Sequence, residues 1–247
     1  ADLNTLDNAT TGAIAAAGVT TITGTLAAVN TAYASSGITG LGNEKVTVTD
    51  TVTVTQANAL DDYTTGAITA TISNHDAATL VGLTDDNSNN VLTISLTDTN
   101  ASAANINTIN GKTAGTLSIS STTITGTLAA VNTAYASSGI TGLGNEAVTL
   151  SDSGSVAAAD LNTLDNATTG AIAAASVTTI TGTLAAVNTA YASSGITGLG
   201  NEAVTLSDSG SVAATDLNTL DNATTGIINA ASISSVTGDE SAINTAF

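Results

Sequence analysis

The string TTITGTLAAVNTAYASSGITGLGNE occurs three times without change, at 20–44, 122–146 and 178–202. Two further strings recur around it. LNTLDNATTG stands at 3–12, 161–170 and 217–226, and EAVTLSDSGSVAA at 146–158 and 202–214. The later copies all advance by 56 positions, as from 122 to 178, 161 to 217 and 146 to 202. The first two copies of the long string, at 20 and 122, stand 102 positions apart. A chain built this way folds as neighbouring copies of one unit, because no copy buries its apolar face alone.

The long repeat divides again. LNTL at Leu161 corresponds to VNTA at Val187, and LNTL returns at Leu217. Following this anchor through the chain picks out Leu3, Val29, Ala57, Leu80, Ile106, Val131, Leu161, Val187, Leu217 and Ile243. The sequence therefore predicts one array over 1–247, with diverged central repeats at 45–121. The expected fold is a solenoid of about nine to ten coils of roughly 27 residues each, with parallel β-strands and a short helix per coil. A right-handed path follows from the general rule for parallel crossovers. An all-β solenoid, in which the helices are merely turns, is the alternative.

Within a coil, Leu184, Val187 and Tyr191 share one face of a short helix, as do Leu161 and Leu164. Ser155 and Thr183 sit at helix N-cap positions, and Gly170 and Gly195 where a left-handed C-terminal glycine is expected. After each glycine the chain turns β-branched: 171–173 (AIA), 176–181 (SVTTIT) and 203–207 (AVTLS) read as short strands. Val177 and Ile180 are three apart, which predicts a bend between them.

Composition supports a thin core. Aromatic residues make up 2% of the 247, with no Trp, Met, Pro or Cys, so Ala, Val, Ile and Leu must fill the interior. Hydrophobic residues reach 42%, too many for a disordered acidic tail. Twenty acidic residues against two lysines leave a formal charge of −18, which excludes nucleic acid as a partner, since phosphate binding needs Lys or Arg. Without cysteine there is neither a disulfide scaffold nor a thiolate metal site. No apolar run is long enough to span a bilayer. The sequence opens inside a repeat and shows no signal peptide, as a processed protein or an excised fragment does.

The strings LNTLDNATTG, VTTITGT and AAVNTAYASSGITGLGNEAVTLSD resemble repeats of very large extracellular or cell-surface proteins of bacteria, notably cyanobacteria. The resemblance covers nearly the whole chain. It implies a secreted or surface-displayed structural protein, a fibre subunit or an adhesin stalk, and carries over no catalytic or binding residue.

The candidate sites are few. His75 is the only histidine and, with no cysteine, makes neither a zinc site nor a triad; it reads as an exposed turn residue in SNHD. No serine has a plausible activating base, so no enzyme is expected. The stretch from Asp85 and Asp86 starts like a calcium loop. It fails at its sixth and twelfth positions, where Asn90 and Leu96 stand. Asp152, Asp165, Asp208 and Asp221, with Glu146 and Glu202, recur from coil to coil. They predict a solvated acidic face, with weak Ca2+ binding between stacked carboxylates as the alternative; Asp85, Asp86, Asp152 and Asp208 are the weak metal candidates. In 46–55 (VTVTDTVTVT), Thr47, Thr49, Thr51, Thr53 and Thr55 alternate on one face, a pattern of ice-binding solenoids that occurs here once. Asn8, Asn100, Asn166 and Asn222 begin glycosylation sequons and read as polar stacking positions, and Asn4, Asn162 and Asn218 as an amide ladder.

The last coil departs from its template. TITGTLAAVNTAY becomes SVTGDESAINTAF, a more polar start that predicts a C-terminal cap over 237–247. The N-terminal copy begins at full consensus, where another subunit or further repeats of the same chain could add. The expected function is a non-enzymatic extracellular structural repeat protein, self-associating head to tail as a fibre subunit or standing as a rigid surface stalk. A calcium-dependent adhesin segment is the alternative, and an ice binder the lesser one.

Overall fold

A threonine or aspartate side chain caps the start of several short helices, Thr25, Thr53, Asp76, Thr127 and Thr183 among them, whereas Ala157 and Ala213 precede two others without a side-chain cap. In the computed structural model, which describes residues 2–85 and 89–246, ten such helices are found among the described residues. They are α1 (Asp2–Ala9), α2 (Leu26–Ala34), α3 (Val54–Asp61), α4 (Ala77–Leu80), α5 (Ala103–Asn110), α6 (Leu128–Ala136), α7 (Ala158–Ala167), α8 (Leu184–Ala192), α9 (Ala214–Ala223) and α10 (Glu240–Ala246). Each contains one of the ten anchor residues. Val29, Leu80, Ile106, Val131, Leu161 and Val187 are buried, whereas Leu3, Leu217 and Ile243 are half-buried.

Strands alternate with these helices, and every strand pair is parallel. The result is a repeated parallel β/α arrangement, and the helices rule against the all-β alternative. The chain divides into two compact units, one of residues 1–98, 105–120 and 138–142, the other of 99–104, 121–137 and 143–247.

In the first unit, six strands lie in the order Ile140–Thr141, Leu117–Ile119, Val91–Leu96, Ile68–Ile72, Lys45–Val52 and Thr21–Gly24; Ile14–Ala15 pairs separately with Ile38–Thr39. Burial alternates along Ile68–Ile72, with Ile68, Ala70 and Ile72 inward against Thr69 and Thr71 outward, while Lys45–Val52 loses the alternation over Thr49–Thr51, where its register with Ile68–Ile72 shifts. In the second unit one sheet runs Ile196–Thr197, Ile172–Ala173, Ala147–Leu150, Thr123–Gly126, Asn100–Ser102. A second runs Ser155–Ala157, Thr179–Gly182, Ala203–Leu206, Ile228–Asn229, and a third pairs Ser211–Ala213 with Ser235–Thr237.

The step between paired strands is informative. Thr179 faces Ala203, Ile180 faces Val204 and Ile172 faces Ile196, so each partner stands 24 positions further along the sequence. Helices of the same unit start at 128, 158, 184, 214 and 240, alternately 30 and 26 apart. The ladder therefore advances by less than a half-repeat each time and slides relative to the helices. Asn100–Ser102 abuts the start of α5, while Ile196–Thr197, at the other end of its sheet, lies just behind α8. One more step falls inside α9, so that sheet stops there for a geometric reason.

Several local expectations need correction. Thr183 does cap α8, accepting from the Ala186 amide, but Ser155 lies in a strand and Ala157 holds the cap position of α7. Gly170 and Gly195 are not left-handed C-caps; α7 and α8 end on extended Thr168 and Ser193. The glycines serve close approach instead. A Cβ at Gly170 would overlap the Glu146 carbonyl, and one at Gly195 the Asp165 carboxylate. The strand expected at 176–181 starts at Thr179, after a turn in which the Val177 amide donates to the Ala174 carbonyl, so the turn precedes Val177 rather than lying between Val177 and Ile180. The threonine row of 46–55 is cut short: Thr53 caps α3 in a reciprocal box with Gln56, and Thr55 is helical.

Candidate functional site

The most distinctive chemistry in the repeat is a buried carboxylate. Glu44, Glu146 and Glu202 are at most 3% exposed, although the sequence reads Glu146 and Glu202 as part of a solvated acidic face. Each sits two residues after a glycine in a tight Gly-Asn-Glu turn. Gly144 and Gly200 have φ of 137° and 141°, a conformation costly for any residue with a Cβ. That turn aims backbone amides at the carboxylate: Gly200 N–H donates to Glu202 Oε2 at 2.7 Å and Asn201 N–H at 3.2 Å. From the preceding helix, eleven residues earlier, Tyr191 donates its hydroxyl at 3.0 Å. Tyr135 and Tyr33 do the same for Glu146 and Glu44, at 3.0 and 2.9 Å.

Burial, and then the adjacent negative carboxylate, holds these phenols in their neutral donating form. Tyr191 is pushed up to about 12, and Tyr33 and Tyr135 rise in the same direction. The carbonyl of each glutamate is claimed in turn by the next half-repeat: Thr64, Thr168 and Thr224 donate their hydroxyls to Glu44, Glu146 and Glu202. A buried charge is tolerated only when it is hydrogen-bonded, and here donors come from the turn and a helix while the neighbouring half-repeat grips the glutamate backbone.

Asp152 and Asp208, two of the metal candidates, have a different occupation. Asp208 Oδ2 accepts from the Leu184 amide at 2.7 Å and Asp152 Oδ2 from the Leu128 amide at 2.7 Å, each 24 residues back. Asp50 holds the Leu26 amide in the same way. These are first-turn amides of α8, α6 and α2, so alternate half-repeats of the near-identical copies supply a carboxylate to an orphan donor at the positive end of the preceding helix, whereas α7 and α9 start without a side-chain cap. Asp165 accepts from the Ser193 hydroxyl, and Asp221 is exposed. Asp85 accepts from the amides of Asn89 and Asn90; Asp86 lies outside the described residues. Among the described residues, no three histidine, cysteine or acidic side chains come together as a metal-binding group.

The expected amide ladder is also redrawn. Asn4, Asn162 and Asn218 each donate to a backbone carbonyl of the next helix (Ala28, Ala186 and Ala242) rather than to another amide. Asn132 and Asn188 do likewise to Asp160 and Asp216. His75 is exposed, with Nδ1 3.0 Å from the Ser95 carbonyl, so that this nitrogen is the donor.

Sequence reasoning missed the buried glutamates and the inter-repeat capping aspartates. A signal for the first was present: Tyr and Glu recur at a fixed separation of eleven residues in all three copies, with Gly-x-Glu in each.

Comparison with protein-family models, with curated proteins and with solved structures finds no match to this chain. No described helix is long and apolar enough to cross a membrane.

Proposed function

We propose that this chain is a non-enzymatic structural repeat protein of the cell surface or extracellular space. Its half-repeats are coils of a right-handed solenoid, one short helix per coil, and the assembled product is a fibre subunit or rigid stalk that self-associates head to tail. One observation carries the reading. The recurring polar residues that would mark an active site in another protein are spent on joining one half-repeat to the next: aspartate to helix amide, asparagine to helix carbonyl, threonine to the buried glutamate's carbonyl. Such joints transmit load and length, and they offer no open position to a substrate.

Negative-stain electron microscopy of the purified chain, with Ca2+ and then with chelator, tests this. Uniform fibres in both conditions are the expected result. Compact isolated particles in both would overturn the fibre reading. Particles that change only with Ca2+ would favour the adhesin alternative, in which Asp152 and Asp208 would have to exchange their amide donors for the ion.

A second reading has its own observation. Outward threonines in the six-stranded sheet align across strands, Thr23 with Thr47 and Thr69, and Thr51 with Thr71 and Thr93. Columns of this kind support ice binding better than the single row legible in the sequence. A thermal-hysteresis measurement decides it: a freezing-point gap lost on Thr71→Leu supports ice binding, and no gap removes it.

A further inference from the structure

The residue before the threonine that grips each buried glutamate is Ala167 for Glu146 and Ala223 for Glu202, but Tyr63 for Glu44. Tyr63 lies just past α3, 47% exposed, on a turn in which its amide donates to the Leu60 carbonyl. Its ring stacks on that of Tyr33, with centroids 5.3 Å apart and planes 15° from parallel. Tyr33 stands near the end of α2 and donates its hydroxyl to Glu44 Oε2 at 2.9 Å. Two phenol rings from successive half-repeats are thus held in contact, and one of them already shares its proton with a carboxylate. Among the described residues, Tyr135 and Tyr191 have the same carboxylate partner without a second ring stacked on them.

We propose that Tyr33 and Tyr63 form an oxidative cross-linking site, at which a one-electron oxidant, such as a peroxidase acting with hydrogen peroxide, joins the two rings by a dityrosine bond within one chain. The inference goes beyond the structural reading above and does not depend on self-association. Each ring gives one electron to the oxidant and loses its phenolic proton, that of Tyr33 to Glu44 and that of exposed Tyr63 to water. The unpaired electrons spread onto the ring carbons beside each oxygen, and one such Cε from each ring joins to form a carbon–carbon bond. The hydrogen left on each joined carbon then moves to that ring's oxygen and restores both phenols. The net loss is two electrons and two protons. Stacked rings meet without diffusion, which raises the rate of coupling over that of separate phenols. The carboxylate takes the Tyr33 proton as the electron leaves, and the solvent side of Tyr63 admits the oxidant and leaves its ring room to swing edge-on to Tyr33. The bond adds a covalent joint between half-repeats beside the hydrogen-bonded ones.

The test illuminates the full chain in dilute solution with ruthenium tris-bipyridyl and persulfate, a one-electron oxidising pair, and reads dityrosine fluorescence together with size on a denaturing gel. A fluorescent product of monomer size is expected. Mass spectrometry of its digest should find Tyr33 and Tyr63 joined with the loss of two hydrogens. Tyr63→Phe keeps a ring on Tyr33 but removes the second phenol, and lowers the monomer fluorescence about tenfold or more, because the pre-placed pair is gone. Tyr63→Ala, which puts at this position the residue found at 167 and 223, does the same. Circular dichroism confirms that both variants, changed at an exposed site, stay folded. Tyr135→Phe removes an unstacked phenol and leaves the fluorescence unchanged. Absence of dityrosine under illumination that couples free tyrosine overturns the proposal. So does fluorescence confined to dimers and larger species, or a folded Tyr63→Phe chain that keeps most of the monomer signal.

Discussion

Between residues 45 and 119 the first unit has long strands and a core of large aliphatic side chains; between 147 and 237 the second unit has strands of two to four residues and a core in which alanine recurs. Lys45–Val52 spans eight residues and Val91–Leu96 six, and Leu60, Ile68, Ile72, Leu80, Leu92 and Ile94 are fully buried around them. In the second unit Ala158, Ala174, Ala190 and Ala214 occupy the interior beside Leu161, Ile180 and Val187. The polar joint differs as well. Where the near-identical repeats bury a glutamate under a tyrosine, the diverged stretch buries Asn90, whose amide nitrogen donates to Asp61 at 2.8 Å and whose oxygen accepts from the Ile68 amide. Thr113 still reaches the Asn90 carbonyl, as Thr168 reaches that of Glu146. The same corner is held in two ways, by a glutamate that gathers several donors or by an amide that bridges the buried Asp61 carboxylate and the Ile68 amide, with a larger apolar core around it. The comparison shows that the polar joint tolerates exchange while the threonine that grips its backbone stays.

The largest effect belongs to the apolar core of the diverged stretch. Leu92→Ala leaves a cavity in a fully buried site and is expected to cost about 2–5 kcal/mol in a urea melt. A loss below that range would mean that the long-strand region is no better packed than the rest. Next comes close approach in the repeats: Gly170→Ala drives a Cβ into the Glu146 carbonyl and costs about 2–3 kcal/mol, while Gly154→Ala, with nothing near, leaves the melting temperature unchanged or slightly raised. Equal effects at the two glycines would contradict the packing described here.

Tyr191→Phe takes a donor from a buried carboxylate and is expected to cost about 2 kcal/mol. The same pair sets an alkaline limit. The Tyr191 phenol is raised from 10.0 to about 12 in the folded chain, so its contribution to stability is complete below pH 10 and is lost as the pH climbs from 10 through 12. Urea midpoints across that window should fall in the parent and fall less in Tyr191→Phe; a parallel decline in both would separate the phenol from the effect. The smallest effect is at the inter-repeat cap, where Asp208→Ala leaves the Leu184 amide unpaired and costs about 1 kcal/mol.

Much of the arrangement was legible because the repeats are nearly exact. The helix anchors from Leu3 to Ile243, the strands at Ile172–Ala173 and Ala203–Leu206, and the cap at Thr183 follow from local chemistry and spacing. Three things were not legible. The ladder step that sets Ile180 beside Val204 depends on how much chain the turns consume, and the period of the sequence repeat does not contain that quantity. The burial of Glu146 and Glu202 depends on a tyrosine and a turn arriving together, so composition reads them as surface charge. Gly170 looks like a helix terminator because the residue that excludes its side chain, Glu146, is far back in the sequence.

In the near-identical repeats of the second unit, strands from 123 onward pair at one constant step, as in 180 to 204 and 172 to 196, although the helices advance by alternate 26 and 30. Because the chain has no cysteine, an engineered pair reports this directly. Thr181→Cys with Thr205→Cys places the thiols on directly paired strand residues, within reach of a disulfide, whereas Thr181→Cys with Ser209→Cys displaces one of them four residues, about 13 Å along the chain. Mild oxidation of the intact chain should cross-link the first pair rapidly and within one molecule, and leave the second reduced. Cross-linking of the second pair in preference to the first would contradict the register, and with it the joints on which the structural reading rests.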